Sequence, residues 1–140
     1  MNWKGVFPAV TTKFHADGSL DMNLFFKNLD FQLASGVHGI ILGGTLGESS
    51  VLSQEEKITL TRETVNYING RVPVILNIAE GATKDALFWA KKAEEIGRIK
   101  EKTEGIVRAL SRGKLTIEEI AEDSDTTVEF VLNVKKEYNL

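Results

Sequence analysis

Between Gly5 and Gly97 the chain switches three times from a short apolar, β-branched run to a longer stretch with helical spacing, and afterwards the switching stops. The first run is Gly5-Val6-Phe7-Pro8-Ala9-Val10-Thr11-Thr12, where Pro8 lacks an N–H and belongs at an edge or irregular position. A helix is expected from Asp21, with Phe25, Leu29 and Leu33 at i, i+4 and i+8 and Gly36 as a left-handed stop. Gly39-Ile40-Ile41-Leu42 is apolar at successive positions, which suits a strand covered on both faces. Ser53 to Glu56 has the spacing of a capping box, opening a helix with Ile58, Val65 and Ile68 that stops at Gly70. The third run is Pro73 to Ile78, followed by a helix opened by Thr83 or Asp85, with Ala86, Ala90 and Ala93 on one stripe and an end at Gly97. Three βα units with short connections make right-handed crossovers and a parallel sheet with helices packed on it. The fold class is therefore α/β. A complete eight-fold βα barrel takes roughly 250 residues, more than the 140 here.

Composition narrows the chemistry. With no cysteine, disulfides, zinc–thiolate centres and thiol nucleophiles are excluded, and His15 and His38 are too few for a multi-histidine metal site. The start, Met1-Asn2-Trp3-Lys4, leads into no apolar signal core, and no run approaches the roughly 20 apolar residues of a membrane span. A soluble, cytoplasmic protein with no membrane partner is expected. The formal net charge of −3 gives no electrostatic reason to expect nucleic acid as a main partner.

In parallel α/β sheets ligands collect at the carboxyl ends of strands. There lie Thr11 and Thr12, then Gly43 to Ser49, then Asn77 to Gly81. Glycines at Gly43, Gly44 and Gly47 allow positive φ and let consecutive N–H groups converge, a nest suited to a carboxylate or phosphate, with the Thr45 hydroxyl beside it. From spacing alone, a plain tight turn accounts for the same residues. A phosphate P-loop does not, since no Gly-Lys-Ser/Thr follows.

Five stretches in order carry a resemblance: Gly5 to Thr12, Asp17-Gly18-Ser19-Leu20-Asp21, Gly44-Thr45-Leu46-Gly47-Glu48-Ser49, Leu52 to Glu56, and Arg71-Val72-Pro73-Val74-Ile75. Together Gly5 to Gly97 resembles the amino-terminal part of the dihydrodipicolinate synthase / N-acetylneuraminate lyase family, pyruvate-handling class I aldolases with a βα barrel. The resemblance implies that the backbone N–H groups at Thr45 and Leu46, next to Gly44, hold the carboxylate of pyruvate or a related 2-keto acid. It also implies that the Thr45 hydroxyl joins a proton relay and that Ala9 and Thr12 lie along the pocket floor. No cofactor and no metal are implied. Three positions depart from the family pattern: Lys13 stands in place of proline, Leu46 in place of a second threonine, and Asn77-Ile78-Ala79 in place of a small glycine-rich segment.

The family's reaction also needs an imine-forming lysine on the sixth strand and a relay tyrosine after the fourth. After Gly97 the resemblance stops, and Arg98-Ile99-Lys100-Glu101-Lys102 stands where a fourth strand would begin. Lys13 reads as solvated, Lys84, Lys91 and Lys92 as helix surface, and Tyr67 and Tyr138 fit no relay position. His15 and His38 read as surface or locally hydrogen-bonded residues. Imine chemistry is not expected.

Residues 98–140 follow another design. From Arg98 to Leu115 six basic residues face two acidic ones, and from Thr116 to Leu140 two basic residues face seven acidic ones. Ile106 and Leu110 form an apolar pair before Gly113, while Thr116 to Glu119 and Thr126 to Glu129 have capping-box spacing. The first box opens a helix with Ile117, Ile120 and Ala121, the second one with Val128, Val131, Leu132 and Tyr138. The outline is that of a helix-turn-helix, and the wording Leu115 to Glu122 resembles tails of bacterial transposase-related nucleases.

The combined expectation is three consecutive βα units of an incomplete (βα)8 barrel with parallel strands over 1–97, followed by an all-helical segment over 98–140. Such a truncated or recombined lyase relative would bind a small 2-keto acid weakly, be catalytically inactive alone, and self-associate or form a homo-oligomer through open sheet edges. Two alternatives are an active lyase completed by a chain supplying the missing strands, and a nucleic-acid or protein interaction module in 98–140.

Overall fold

The computed structural model describes residues 4–78 and 80–140, so Met1-Asn2-Trp3 and Ala79 lie outside the described residues. Its elements are helix α1 (Met22–Ala34), strand β1 (Ile40–Leu42), a 3-10 turn (Thr45–Gly47), α2 (Gln54–Ile68), β2 (Val74–Leu76), α3 (Thr83–Arg112), α4 (Ile117–Asp123) and α5 (Val128–Glu137). The chain separates into two compact units, residues 1–96 and 97–140.

In the first unit β1 and β2 pair in parallel, Ile40 opposite Val74 and Leu42 opposite Leu76. The segment expected as a first strand is reduced to a single parallel bridge, Ala9 opposite Ile41. Its backbone still runs beside β1: His38 N donates to Val6 O (2.8 Å), Ile41 N to Pro8 O (2.9 Å) and Val10 N to Ile41 O (3.0 Å). Pro8 has no N–H to extend that ladder. The spatial order, first segment, β1, β2, is sequential and parallel, as successive βα units require.

Local signals set the helix ends. Asp21 caps α1 by accepting from Leu24 N at 2.8 Å, and Gly36 follows its C-cap with φ 78°. Ser53 and Glu56 form the full reciprocal box at α2. Phe25 and Leu29 are completely buried with Val10, Ile40, Leu42, Leu52, Leu60 and Ile68, and Leu33 packs against this core from its edge. Phe26 stacks on Tyr67 (centroids 4.2 Å, interplanar 3°), and Tyr67 donates its hydroxyl to Asp30 at 2.6 Å, so α1 and α2 are joined by both an apolar and a polar contact.

The helix after β2 does not stop at Gly97; α3 continues to Arg112. Glycine costs a helix interior only about 1 kcal/mol, and the residues beyond it form helices well and add i,i+4 ion pairs, Lys100–Glu104 (3.2 Å) and Arg108–Glu104 (3.9 Å). Its buried positions in the first unit are Trp89 and Ile96, with Ala86 and Ala93 half-buried on the same stripe, whereas Ala90 is exposed and Trp89 takes the place expected for it.

In the second unit Ile106, Ile120, Ala121, Val131 and Val134 make a core, and Gly113 ends α3 with φ 61°. Thr116 and Glu119 form the expected box. The second box is not formed: Thr127, not Thr126, caps α5 by accepting from Phe130 N at 3.2 Å, because Thr126 N is already bonded to Ala121 O at 2.9 Å. That one-residue change in where the helix starts accompanies burial of Val131 and Val134, while Val128, Leu132 and Tyr138 stay exposed.

Candidate functional site

Because β1 and β2 are parallel, the turns after them emerge at the same end. Gly43, at φ 67°, makes the first bend, and a Cβ there would lie 3.2 Å from Asn77 O as well as in an unfavourable conformation. Gly44 is extended (φ −74°, ψ 177°) and serves as N-cap of the 3-10 turn over Thr45–Gly47. Gly47 N returns to Gly44 O (2.9 Å) and Glu48 N to Thr45 O (3.1 Å). The N–H groups at the start of such a turn, on Thr45 and Leu46, precede the first that can bond within it, so they are available to an outside acceptor.

Two braces hold this turn. The buried Thr12 hydroxyl donates to Gly47 O at 2.6 Å, and a Cβ on Gly47 would lie 3.1 Å from Val10 O. On the other side Asn77 uses its side-chain amide on Gly43 O (2.9 Å) and its backbone N–H on Leu42 O (2.9 Å). The asparagine that departs from the family's glycine-rich pattern thus ties the two turns together; Ala79 of the same segment lies outside the described residues.

Of the five residues picked out in the sequence, Gly44 and Thr45 line an open recess of about 460 Å³ with Ser49, Lys57, Asn77 and Glu80. Ala9 stands beside Gly44, the added Cβ there falling 3.5 Å from the Ala9 Cβ. Thr12 supports the turn from behind through Gly47, and Leu46 is 65% exposed outside the recess lining. Lys13 is half-buried and does not line the recess, while His15 pairs with Asp21 (3.5 Å) and His38 accepts from Val6 N through Nδ1 (3.1 Å).

Sequence reasoning missed Lys57. It lies on the first turns of α2, its side chain only 15% exposed, with Nζ 3.2 Å from Glu80 Oε1 and 5.4 Å from the centre of the Trp89 ring. The available signal was position: four residues after the cap Ser53, a side chain on this helix reaches back toward the strand ends.

The family model for dihydrodipicolinate synthetase matches residues 2–100. The chain belongs to that family. The 4-hydroxy-tetrahydrodipicolinate synthase of Bacillus subtilis (strain 168) is 42% identical over 97 residues, 69% of this chain and 33% of the relative. That of Methanococcus vannielii is 39% identical over 94 residues, 67% of this chain and 32% of the relative. Among solved structures, a dihydrodipicolinate synthase from Bacillus anthracis superposes with TM-score 0.67 at 33% identity, covering 69% of this chain and 33% of that one. A chloride-inhibited dihydrodipicolinate synthase from Acinetobacter baumannii, complexed with pyruvate, gives TM-score 0.66 at 29% identity with the same coverage. The chain thus spans about a third of the length of the dihydrodipicolinate synthase relatives it matches, and its sheet is a part of their barrel.

Proposed function

We propose that residues 1–97 are a partial aldolase-type barrel keeping the 2-keto acid cradle of the dihydrodipicolinate synthetase family without its imine chemistry, and that residues 98–140 are a helical module of separate origin. The observation that carries the reading is the Gly44–Gly47 turn, with N–H groups of Thr45 and Leu46 left free of intrahelical partners at the ligand end of a parallel sheet. The bound pyruvate in the Acinetobacter baumannii relative supports the ligand class. In this reading, as the family resemblance implies, the Thr45 hydroxyl passes a proton, Gly44 gives the carboxylate its close approach, and Ala9 and Thr12 support the floor. A helical core of its own over 97–140 supports the second half of the proposal.

Catalysis by imine formation requires an uncharged lysine beside the keto carbon. The lysine in the recess is committed to Glu80, so the chain alone is proposed to be catalytically silent and to bind pyruvate weakly, with a dissociation constant of about 1 mM. Among the described residues β2 pairs with β1 alone, and its other, open edge supports self-association.

Borohydride reduction in the presence of labelled pyruvate tests the silence, and labelling of any lysine overturns it. Calorimetric titration of pyruvate into the protein and into Thr45→Pro tests the cradle. Proline suits the first position of the turn, and Gly44 before it is already extended, so the variant removes the N–H and hydroxyl with little cost to the backbone. Loss of binding in Thr45→Pro is expected; equal binding would show that the turn does not hold the guest.

A further inference from the structure

We propose that Glu80 is a built-in competitor in the recess: its carboxylate occupies the cation, Lys57, that an incoming 2-keto acid carboxylate takes over. The inference rests on the cradle reading above and adds the group that sets affinity there.

Lys57 and Glu80 line the recess together with Gly44 and Thr45, so the ion pair and the turn face one space. Their side chains are 15% and 22% exposed, and the ammonium is therefore shielded enough for its charge to matter to a nearby anion. Only one contact joins the two charges, Nζ to Oε1 at 3.2 Å, while an ammonium carries three donors. The rest of its surroundings include the Trp89 ring at 5.4 Å, which attracts a cation without consuming a donor. A second carboxylate can therefore approach before the first has left.

Glu80 is also the more easily moved partner. It sits in the connection between β2 and α3 rather than on either element, whereas Lys57 is on a capped helix. Lys57 and Glu80 also line a second recess with Lys84 and Asp85. A displaced Glu80 therefore has a lysine, as well as a carboxylate, among the residues of that recess. The exchange trades one ion pair for another, and the guest gains a charged contact in addition to the turn's N–H groups.

The test is calorimetric titration of pyruvate into the wild-type chain, Glu80→Gln, Lys57→Met and the double variant, with circular dichroism confirming that each is folded. Glu80→Gln is expected to bind about tenfold tighter than wild type, Lys57→Met more weakly, and the double variant like Lys57→Met. In a Trp3→Phe background, the Trp89 emission should change on binding wherever Lys57 is present. Glu80→Gln binding no tighter than wild type overturns the proposal, as does a gain that survives loss of Lys57. Repeating Glu80→Gln with Thr45→Pro separates the two readings. Thr45→Pro binding pyruvate as tightly as wild type, with the tenfold gain from Glu80→Gln retained in it, keeps the exchange and removes the cradle; wild-type binding unaffected by Glu80→Gln but lost in Thr45→Pro does the reverse. If no variant binds pyruvate, both readings fall.

Discussion

The Thr12 hydroxyl, almost fully buried, donates at 2.6 Å to the carbonyl of Gly47, thirty-five residues away, and so fixes the far end of the proposed carboxylate cradle to the end of the first apolar run, before α1. Thr12→Val keeps the shape and removes the donor, leaving that carbonyl unpartnered where water has little access. The expected cost is about 1–3 kcal/mol, read as a lower urea midpoint followed through tryptophan emission, with pyruvate binding weakened as the turn loosens. A midpoint within error of wild type would mean that the turn is held by its own backbone alone.

At α2, Ser53 accepts from Glu56 N (3.2 Å) and Glu56 Oε2 accepts from Ser53 N (2.8 Å). Ser53→Ala should cost about 1 kcal/mol. The backbone bond from Ser53 holds the Glu56 carboxyl below its ordinary value, helped by the Ser53 hydroxyl. Its contribution is therefore present above the unfolded value and is lost as pH falls through the lower folded one. The difference between wild type and Glu56→Gln should shrink in acid denaturant titrations; a difference independent of pH would show that the carboxylate is not part of the cap.

Caps and stops such as Asp21, Gly36, Ser53, Thr116 and Gly113 were legible because each is decided within four residues of sequence. The parallel order was legible from the alternation, and the ligand end followed from it. What could not be read was set by distant partners. The first strand is a single bridge because Pro8 offers no donor to β1, and α3 passes Gly97 because nothing at that position forces a positive φ. Trp89 rather than Ala90 is buried, its ring beside Lys57 and Phe88, partners far in sequence or set by the helix turn. Within the site, Gly44 and Thr45 line the recess, but the Lys57–Glu80 pair joins residues twenty-three apart through a loop whose path no local pattern encodes.

Tyr67 gives the alkaline counterpart of the Glu56 test. Its hydroxyl donates to Asp30, and that bond, with smaller contributions from burial and from the Asp30 charge, raises its pKa above the ordinary 10.0, while Arg71 partly opposes the shift. Stability from this contact is fully present below the unfolded value and disappears as pH rises through the higher folded one. Spectrophotometric titration in a Tyr138→Phe background should show Tyr67 ionising late, and Asp30→Asn should bring it earlier. An unchanged midpoint in Asp30→Asn would remove the carboxylate as the cause.

Gly97 is the position at which the continuity of α3 is most directly tested. The helix runs from Thr83 to Arg112 across it, its φ is not positive, and an added Cβ would meet nothing within 4 Å. Alanine there reduces the freedom of the unfolded chain and improves helix propensity without a steric cost. Gly97→Ala should therefore stabilise the protein by about 0.5–1 kcal/mol, seen as a higher thermal midpoint of the helical signal in circular dichroism. A glycine acting as a left-handed helix stop would respond in the opposite direction, because alanine at positive φ is strained. The sign of one substitution thus decides whether the family-like segment and the following residues are joined by a helix or by a break.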